Sequence, residues 1–143
     1  MTAFIMDASV AIKWLLPGQG ETLTEEALLL QVRYARGQVR LAVPDLFWVE
    51  AGNAVWNAVR RGRITRGVGE RAVEQLLRYD FTTVGSLSLL EPAFAMATRF
   101  GRTVYDCVYV ILAVETGAEF ITADERLANS LAAYLPVKWL GAL

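Results

Sequence analysis

Four acidic residues have surroundings that set them apart. Asp7 ends the apolar opening Ala-Phe-Ile-Met, and Glu50 lies in Asp45-Leu-Phe-Trp-Val-Glu-Ala-Gly-Asn. Asp106 opens a run, Tyr105-Asp-Cys-Val-Tyr-Val-Ile-Leu-Ala-Val, that holds no other charge before Glu115, and Asp124 sits in Thr122-Ala-Asp-Glu-Arg-Leu. Taken singly, each has an ordinary explanation. Asp7 and Asp124 are placed to cap helices, Glu50 with Asn53 and Asn57 falls on one polar stripe of a helix, and Thr103 or Asp106 is placed to cap the run that follows. An ionised Asp106 inside that run would need a partner or a metal, because an unpaired buried charge costs several kcal/mol. Taken together the four imply more. Carboxylates brought close raise each other's pKa and are stable as a group only with a cation among them. Oxygen ligands alone select a hard ion, Mg²⁺ with Mn²⁺ as its substitute. Such an ion activates water and neutralises a phosphodiester under in-line attack, so the chemistry indicated is phosphodiester hydrolysis.

The rest of the composition narrows the choice. The chain has no histidine, which excludes Ser-His-Asp and Cys-His catalysis and every His-dependent metal site. Cys107 is the only cysteine, so a disulfide framework or a thiolate zinc site cannot form within one chain, and its apolar neighbours predict a buried, inert thiol. Catalysis is left to carboxylates, hydroxyls and arginines.

The elements that must position these groups follow from punctuation and periodicity. Strands are expected at Ala3–Met6, Arg40–Val43, Phe81–Val84, Phe120–Thr122 and Val137–Leu140. Helices are expected from Val10 to Leu16 behind a Ser9 cap, then over Thr22–Arg36, Asp45–Arg61, Thr65–Tyr79, Leu89–Phe100 and Tyr105–Thr116, with a last one from Asp124. Short apolar strands alternating with helices give an α/β domain whose mainly parallel sheet is covered on both faces, and 143 residues suit one domain over 1–143. Ligands of such sheets bind beyond the carboxyl ends of the strands. Asp7 and Asp124 both follow strands, which places them on the same edge. The helix holding Glu50 is apolar around most of its girth and is expected to be nearly engulfed.

Four segments carry a resemblance: Phe4-Ile-Met-Asp-Ala-Ser-Val, Pro44-Asp-Leu-Phe-Trp-Val-Glu-Ala-Gly-Asn-Ala, Tyr105-Asp-Cys-Val-Tyr-Val-Ile-Leu-Ala and Ile121-Thr-Ala-Asp-Glu-Arg-Leu. In this order, with the acids at intervals of 43, 56 and 18 residues, they resemble the PIN-domain ribonucleases, and among them the VapC toxins of toxin–antitoxin modules. The resemblance implies a PIN-like three-layer α/β/α sandwich with a parallel sheet of four or five strands. It also implies an acidic Mg²⁺ site formed by Asp7, Glu50, Asp106 and Asp124. Asp7 and Asp106 would be direct ligands, Glu50 and Asp124 direct or water-mediated ones, and Ser9, Asn53 and Thr122 supporting groups. Its further implications are cleavage of RNA, homodimerisation, and neutralisation by a cognate antitoxin lying across the active-site groove. A DNA-directed nuclease with the same acids, and a PIN-like module that binds RNA or a partner without cleaving, remain open.

Charge and hydropathy bear on partners. Net charge is only −1, yet Arg60, Arg61, Arg63, Arg66, Arg71 and Arg78 stand against only Glu70 and Glu74 between positions 60 and 78. This segment is either a solvated helical face or an RNA-facing edge, with Arg60, Arg61, Arg63 and Arg66 the candidates for phosphate contact. A hydrophobic share of 55% with four tryptophans exceeds what one small core is expected to hide, which predicts a homodimer with a further apolar groove for the antitoxin. The longest uncharged stretch, Leu127–Val137, is far short of the ~20 residues of a membrane span, and Asp7 interrupts the apolar start. A soluble, cytoplasmic protein with no membrane partner is the expectation.

Overall fold

The computed structural model describes residues 1–18 and 21–143. In chain order the elements are β1 (Thr2–Met6), α1 (Ala8–Leu15), α2 (Thr24–Ala35), β2 (Val39–Pro44), α3 (Leu46–Arg60), α4 (Arg66–Leu76), β3 (Thr82–Val84), α5 (Leu90–Phe100), α6 (Val104–Thr116), β4 (Glu119–Thr122), α7 (Glu125–Leu131) and β5 (Val137–Trp139). Short 3₁₀ turns lie at Leu87–Leu89 and Leu140–Ala142. All five strands are parallel, in the order β3-β2-β1-β4-β5. Parallel neighbours require right-handed crossovers. The steps β1→β2→β3 run one way along the sheet and β3→β4→β5 the other, so α1–α4 cover one face and α5–α7 the opposite one. This is the expected α/β/α sandwich, and it fixes the point where strand order reverses between β1 and β4.

The central strands read as continuous apolar runs because both faces are covered. Phe4, Ile5 and Met6 of β1 and Phe120 and Ile121 of β4 are all buried, paired Ile5 to Phe120 and Met6 to Ile121. Across β1, β2 and β4 lies α6, whose residues from Cys107 to Ala113 are buried without a break. That explains why this helix has no polar face in sequence. It ends at Gly117, whose φ of 70° is the left-handed conformation that lets the chain turn into β4.

Two expectations need correction. Ser9 does not precede its helix: α1 begins at Ala8, with Asp7 in the N-cap position, and Ser9 lies in the first turn. Its hydroxyl is committed to partners on β1 and β4 rather than to the helix end. Nor is α3 engulfed. Phe47, Ala51, Val55 and Ala58 form one buried stripe against the neighbouring helices, while Val49 and Trp56 are 73% and 55% exposed, because α3 lies at the outside of its layer. Periodicity shows which residues are apolar and not what lies opposite them. The start of α3 is held by an aromatic cluster in which Phe47 meets Phe81 edge-on at 5.8 Å and Tyr79 stacks on Phe81 at 5.1 Å. At the other end, Gly69 of α4 accounts for its own place in a helix, since a Cβ there would come within 2.8 Å of the Val59 side chain. Only glycine permits that approach of α4 to α3.

Candidate active site

Asp7 leaves β1 at the reversal of strand order, the crevice where ligands of open parallel sheets bind. Its backbone N–H continues the ladder to the Ile121 carbonyl at 3.1 Å, and its own carbonyl accepts the first α1 bond from Val10. The side chain does not cap α1. Instead Asp7 Oδ2 accepts two hydrogen bonds, from Ser9 Oγ at 2.8 Å and from Thr122 Oγ1 at 2.7 Å. Each hydroxyl is oriented in turn by a backbone donor: Ala123 N–H to Ser9 at 3.0 Å, and Asp124 N–H to Thr122 at 3.1 Å. Burial pushes the Asp7 carboxyl above its ordinary value, the two hydroxyls pull it back, and the charge of Asp106 raises it again.

Glu50 arrives from the opposite side of the strand edge, on the second turn of α3, and Tyr109 of α6 donates its hydroxyl to Glu50 Oε1 at 3.0 Å. That bond joins the two helical layers across the end of the sheet. Burial raises the Glu50 pKa, Tyr109 opposes the shift, and the charges of Asp7 and Asp106 add to it. Tyr109 is itself buried, and burial and the same acids hold its hydroxyl protonated, so it serves as a donor throughout the working pH range.

Asp106 sits in the first turn of α6, with its backbone N–H accepted by Thr103 Oγ1 at 3.1 Å, so Thr103 is the helix cap. Its side chain is about one-third exposed and lies 3.6 Å from Arg102 Nη2. Asp7, Glu50 and Asp106 thus share one electrostatic field although they come from β1, α3 and α6. Asp124 is placed differently: it is exposed, caps α7 by accepting from Leu127 N–H at 3.1 Å, and joins the others through Thr122. Among the described residues, no three acidic or thiol side chains are close enough to form a metal cluster as they stand. The donor set still fits Mg²⁺, which takes one or two carboxylates, keeps several waters, and needs no all-protein cage. Asp7 and Glu50, both partly withdrawn from water, with Asp106 beside them, are the residues that would hold such an ion.

The other sequence candidates divide. Asn53 is exposed one turn beyond Glu50, and Cys107 is buried with its thiol pushed up by burial, as expected of an inert group. Arg60, Arg61, Arg63 and Arg66 are all exposed. Arg60 meets Asn57 at 3.3 Å, Arg63 meets Glu21 at 3.4 Å, and Arg66 meets Glu70 at 2.8 Å. Two residues of the site had not been singled out. Tyr109 is three positions after Asp106 on α6, a spacing that places both on one helix face, while Arg102 stands just before the Thr103 cap and approaches Asp106 from outside the helix. Tyr109 stands in sequence only as an aromatic within the apolar run after Asp106, and Arg102 belongs to none of the four motifs.

Comparison with known proteins bears on the family and the fold. Residues 4–130 match the PIN domain family. Ribonuclease VapC3 of Pyrobaculum aerophilum is 29% identical over 131 residues, spanning 90% of this chain and 95% of its own. Among solved structures, PAE2754 from Pyrobaculum aerophilum superposes with a TM-score of 0.72 at 21% identity, covering 99% of this chain and 85% of the other. A toxin–antitoxin complex from Klebsiella pneumoniae gives 0.60 at 16% identity, with 96% of each chain covered.

Proposed function

The chain belongs to the PIN-domain family, and from that premise we propose that it is a divalent-metal-dependent endoribonuclease, the toxin of a toxin–antitoxin pair. One observation carries the reading: Asp7, Glu50 and Asp106, from three separate elements, bear on one another's charge at the strand-order reversal of the sheet. The resemblance to Ribonuclease VapC3 supports RNA as the substrate.

In this reading Asp7 and Asp106 would hold Mg²⁺ or Mn²⁺ directly, and Glu50 and Asp124 directly or through water. The bound ion supplies an activated water and neutralises charge on the phosphate. Ser9 and Thr122 clamp one oxygen of Asp7, and Tyr109 clamps one oxygen of Glu50, so neither carboxylate must be ordered when the ion arrives. Glu50, oriented by Tyr109, would accept a proton from the attacking water. The water oxygen bonds to phosphorus, one P–O ester bond breaks, and the departing oxygen takes up a proton from solvent. Arg60, Arg61, Arg63 and Arg66 contact phosphates of the flanking strand.

The partners follow from exposed apolar surface. A groove of about 640 Å³ between α3 and α4, lined by Val55, Trp56, Val59, Gly69 and Val73, suits a segment of the antitoxin. The solved toxin–antitoxin complex of the same fold supports such a partner. Leu87, Leu90, Phe94 and Tyr105 are exposed around the starts of α5 and α6 and suit a homodimer contact. No described helix is long and apolar enough to cross a membrane, which fits a cytoplasmic enzyme. The test is incubation of the purified protein with labelled single-stranded RNA and with DNA of the same sequence, with Mg²⁺ or EDTA. Internal RNA cleavage only with Mg²⁺ is expected. Intact RNA beside cut DNA would replace the reading by a DNA-directed nuclease, and no cleavage of either by a binding-only module.

A further inference from the structure

Arg102 has one role that packing does not explain. Its guanidinium lies 3.6 Å from Asp106 Oδ2 through Nη2, too long for a well-formed hydrogen bond, and the side chain is 28% exposed. Its Nε is buried and has no hydrogen-bond partner among the described residues. Leaving such a donor unmet costs free energy, more so for a charged group. A guanidinium stays charged at any working pH and presents five donors in a fork matched to phosphate oxygens. Among the described residues that fork makes one loose ion pair, with a carboxylate that the proposed function gives to the metal.

We propose that Arg102 is a substrate-contacting catalytic residue that exchanges partners. In the metal-free protein it neutralises Asp106. When a divalent cation binds Asp106, like-charge repulsion loosens the arginine, and the freed fork engages non-bridging oxygens of the RNA phosphate held beside that carboxylate. The cation and the guanidinium therefore compete for Asp106 but cooperate on phosphate. The looseness of the ion pair matters, because a bidentate Arg102–Asp106 pair would resist the exchange.

The inference rests on the ribonuclease reading, and its test keeps the two apart. Wild type, Arg102→Gln and Arg102→Lys are titrated with Mn²⁺ by calorimetry, starting metal-free. Each is then assayed for binding of a short labelled single-stranded RNA in Ca²⁺ across a KCl series, and for cleavage in Mg²⁺. Arg102→Gln is expected to bind Mn²⁺ several-fold tighter than wild type, since its competitor is gone. Its log–log salt slope for RNA should drop by about 0.7, the value of one phosphate contact on a single strand. Cleavage should fall about tenfold or more. Arg102→Lys should keep the salt slope and recover part of the cleavage, which a purely structural arginine would not predict. Mn²⁺ affinity in Arg102→Gln equal to or weaker than wild type would overturn the exchange, as would an unchanged salt slope. A wild type that cleaves no RNA at all would sink the ribonuclease reading instead, and the Mn²⁺ and salt comparisons would still decide the part played by Arg102.

Discussion

Helix α3 carries Glu50 near its start and Arg60 at its end, ten residues or about 15 Å apart, and the two ends hold charge in different ways. Around Glu50 the charged groups are drawn from three elements, half or more withdrawn from water, and fixed by hydroxyls of Tyr109, Ser9 and Thr122. Around Arg60 the charges are exposed and several are satisfied close by, Arg60 by Asn57 and Arg66 by Glu70. Desolvated like charges raise the local affinity for a cation, whereas exposed arginines are screened and adaptable. The difference separates the two tasks of a nuclease: chemistry requires a fixed field, and tracking a strand requires only a positive border. On the proposed function, arginines about 15 Å from the acids would reach phosphates two or more nucleotides from the one being cut, so loss of either end should produce a different phenotype.

The largest effect is expected at the fixed end. Asp7→Asn should lower Mg²⁺-dependent RNA cleavage about a thousandfold or more, the kinetic equivalent of several kcal/mol of lost charge stabilisation. The same substitution should raise the melting temperature of the metal-free protein, because it removes a buried charge that its neighbours repel. A variant that is both inactive and less stable without metal would mean that Asp7 is structural, held in place by Ser9 and Thr122 for folding alone.

Next in size is the brace. Tyr109→Phe keeps the ring stacked on Phe120 at 5.1 Å but removes the bond to Glu50, so cleavage should fall about 10- to 100-fold, as for loss of other groups that orient ligands. The stability cost should be about 1 kcal/mol, read from urea melts. Full activity in Tyr109→Phe would show that Glu50 needs no positioning from α6.

This brace also marks what could be read before the fold was in view. The strand ending at Asp7, the order of elements and the placing of Asp7 and Asp124 on one edge were legible, because apolar runs bounded by Pro, Gly and acids report strands and their ends directly. Tyr109 was not, because a buried tyrosine in an apolar helix has the same sequence appearance whether its hydroxyl is idle or fixes a carboxylate 59 positions away. For Asp106 the sequence left two placements open, a charge inside an apolar helix or a helix start capped by Thr103 or Asp106; Thr103 is the cap, and Asp106 lies in an open first turn. The burial of α3 was overestimated for a similar reason: the pattern shows the apolar residues but not the absence of a covering element beside Val49 and Trp56.

A pH dependence of moderate size follows from the same field. The folded-state pKa values of Asp7 and Glu50 lie above their ordinary values of 3.8 and 4.5, so between each ordinary value and the raised folded one the native protein binds more protons than the unfolded chain. Their contribution to metal-free stability is fully present below about pH 4 and is lost as pH rises through the folded values. Thermal melts in EDTA should show wild type losing ground to an Asp7→Asn, Glu50→Gln double variant as pH is raised from 4 to 7. Parallel curves would indicate that the two carboxyls are not perturbed.

The smallest effect is expected at the positive border. Arg60→Ala with Arg61→Ala should weaken RNA binding by severalfold and flatten the log–log salt slope by about 1.4, two single-strand phosphate contacts, with no change in Mn²⁺ affinity. An unaltered slope would return this turn to an ordinary solvated face.

The central claim is that acids from β1, α3 and α6 act as one cation site. Calorimetric titration of Mn²⁺ into metal-free wild type, Asp7→Asn, Glu50→Gln and Asp106→Asn tests it most directly. The account predicts saturable binding by wild type that Asp7→Asn and Asp106→Asn each abolish and Glu50→Gln weakens. Equal Mn²⁺ affinity in wild type and Asp106→Asn would contradict it, because a site that survives loss of the α6 carboxylate is not shared among the three elements.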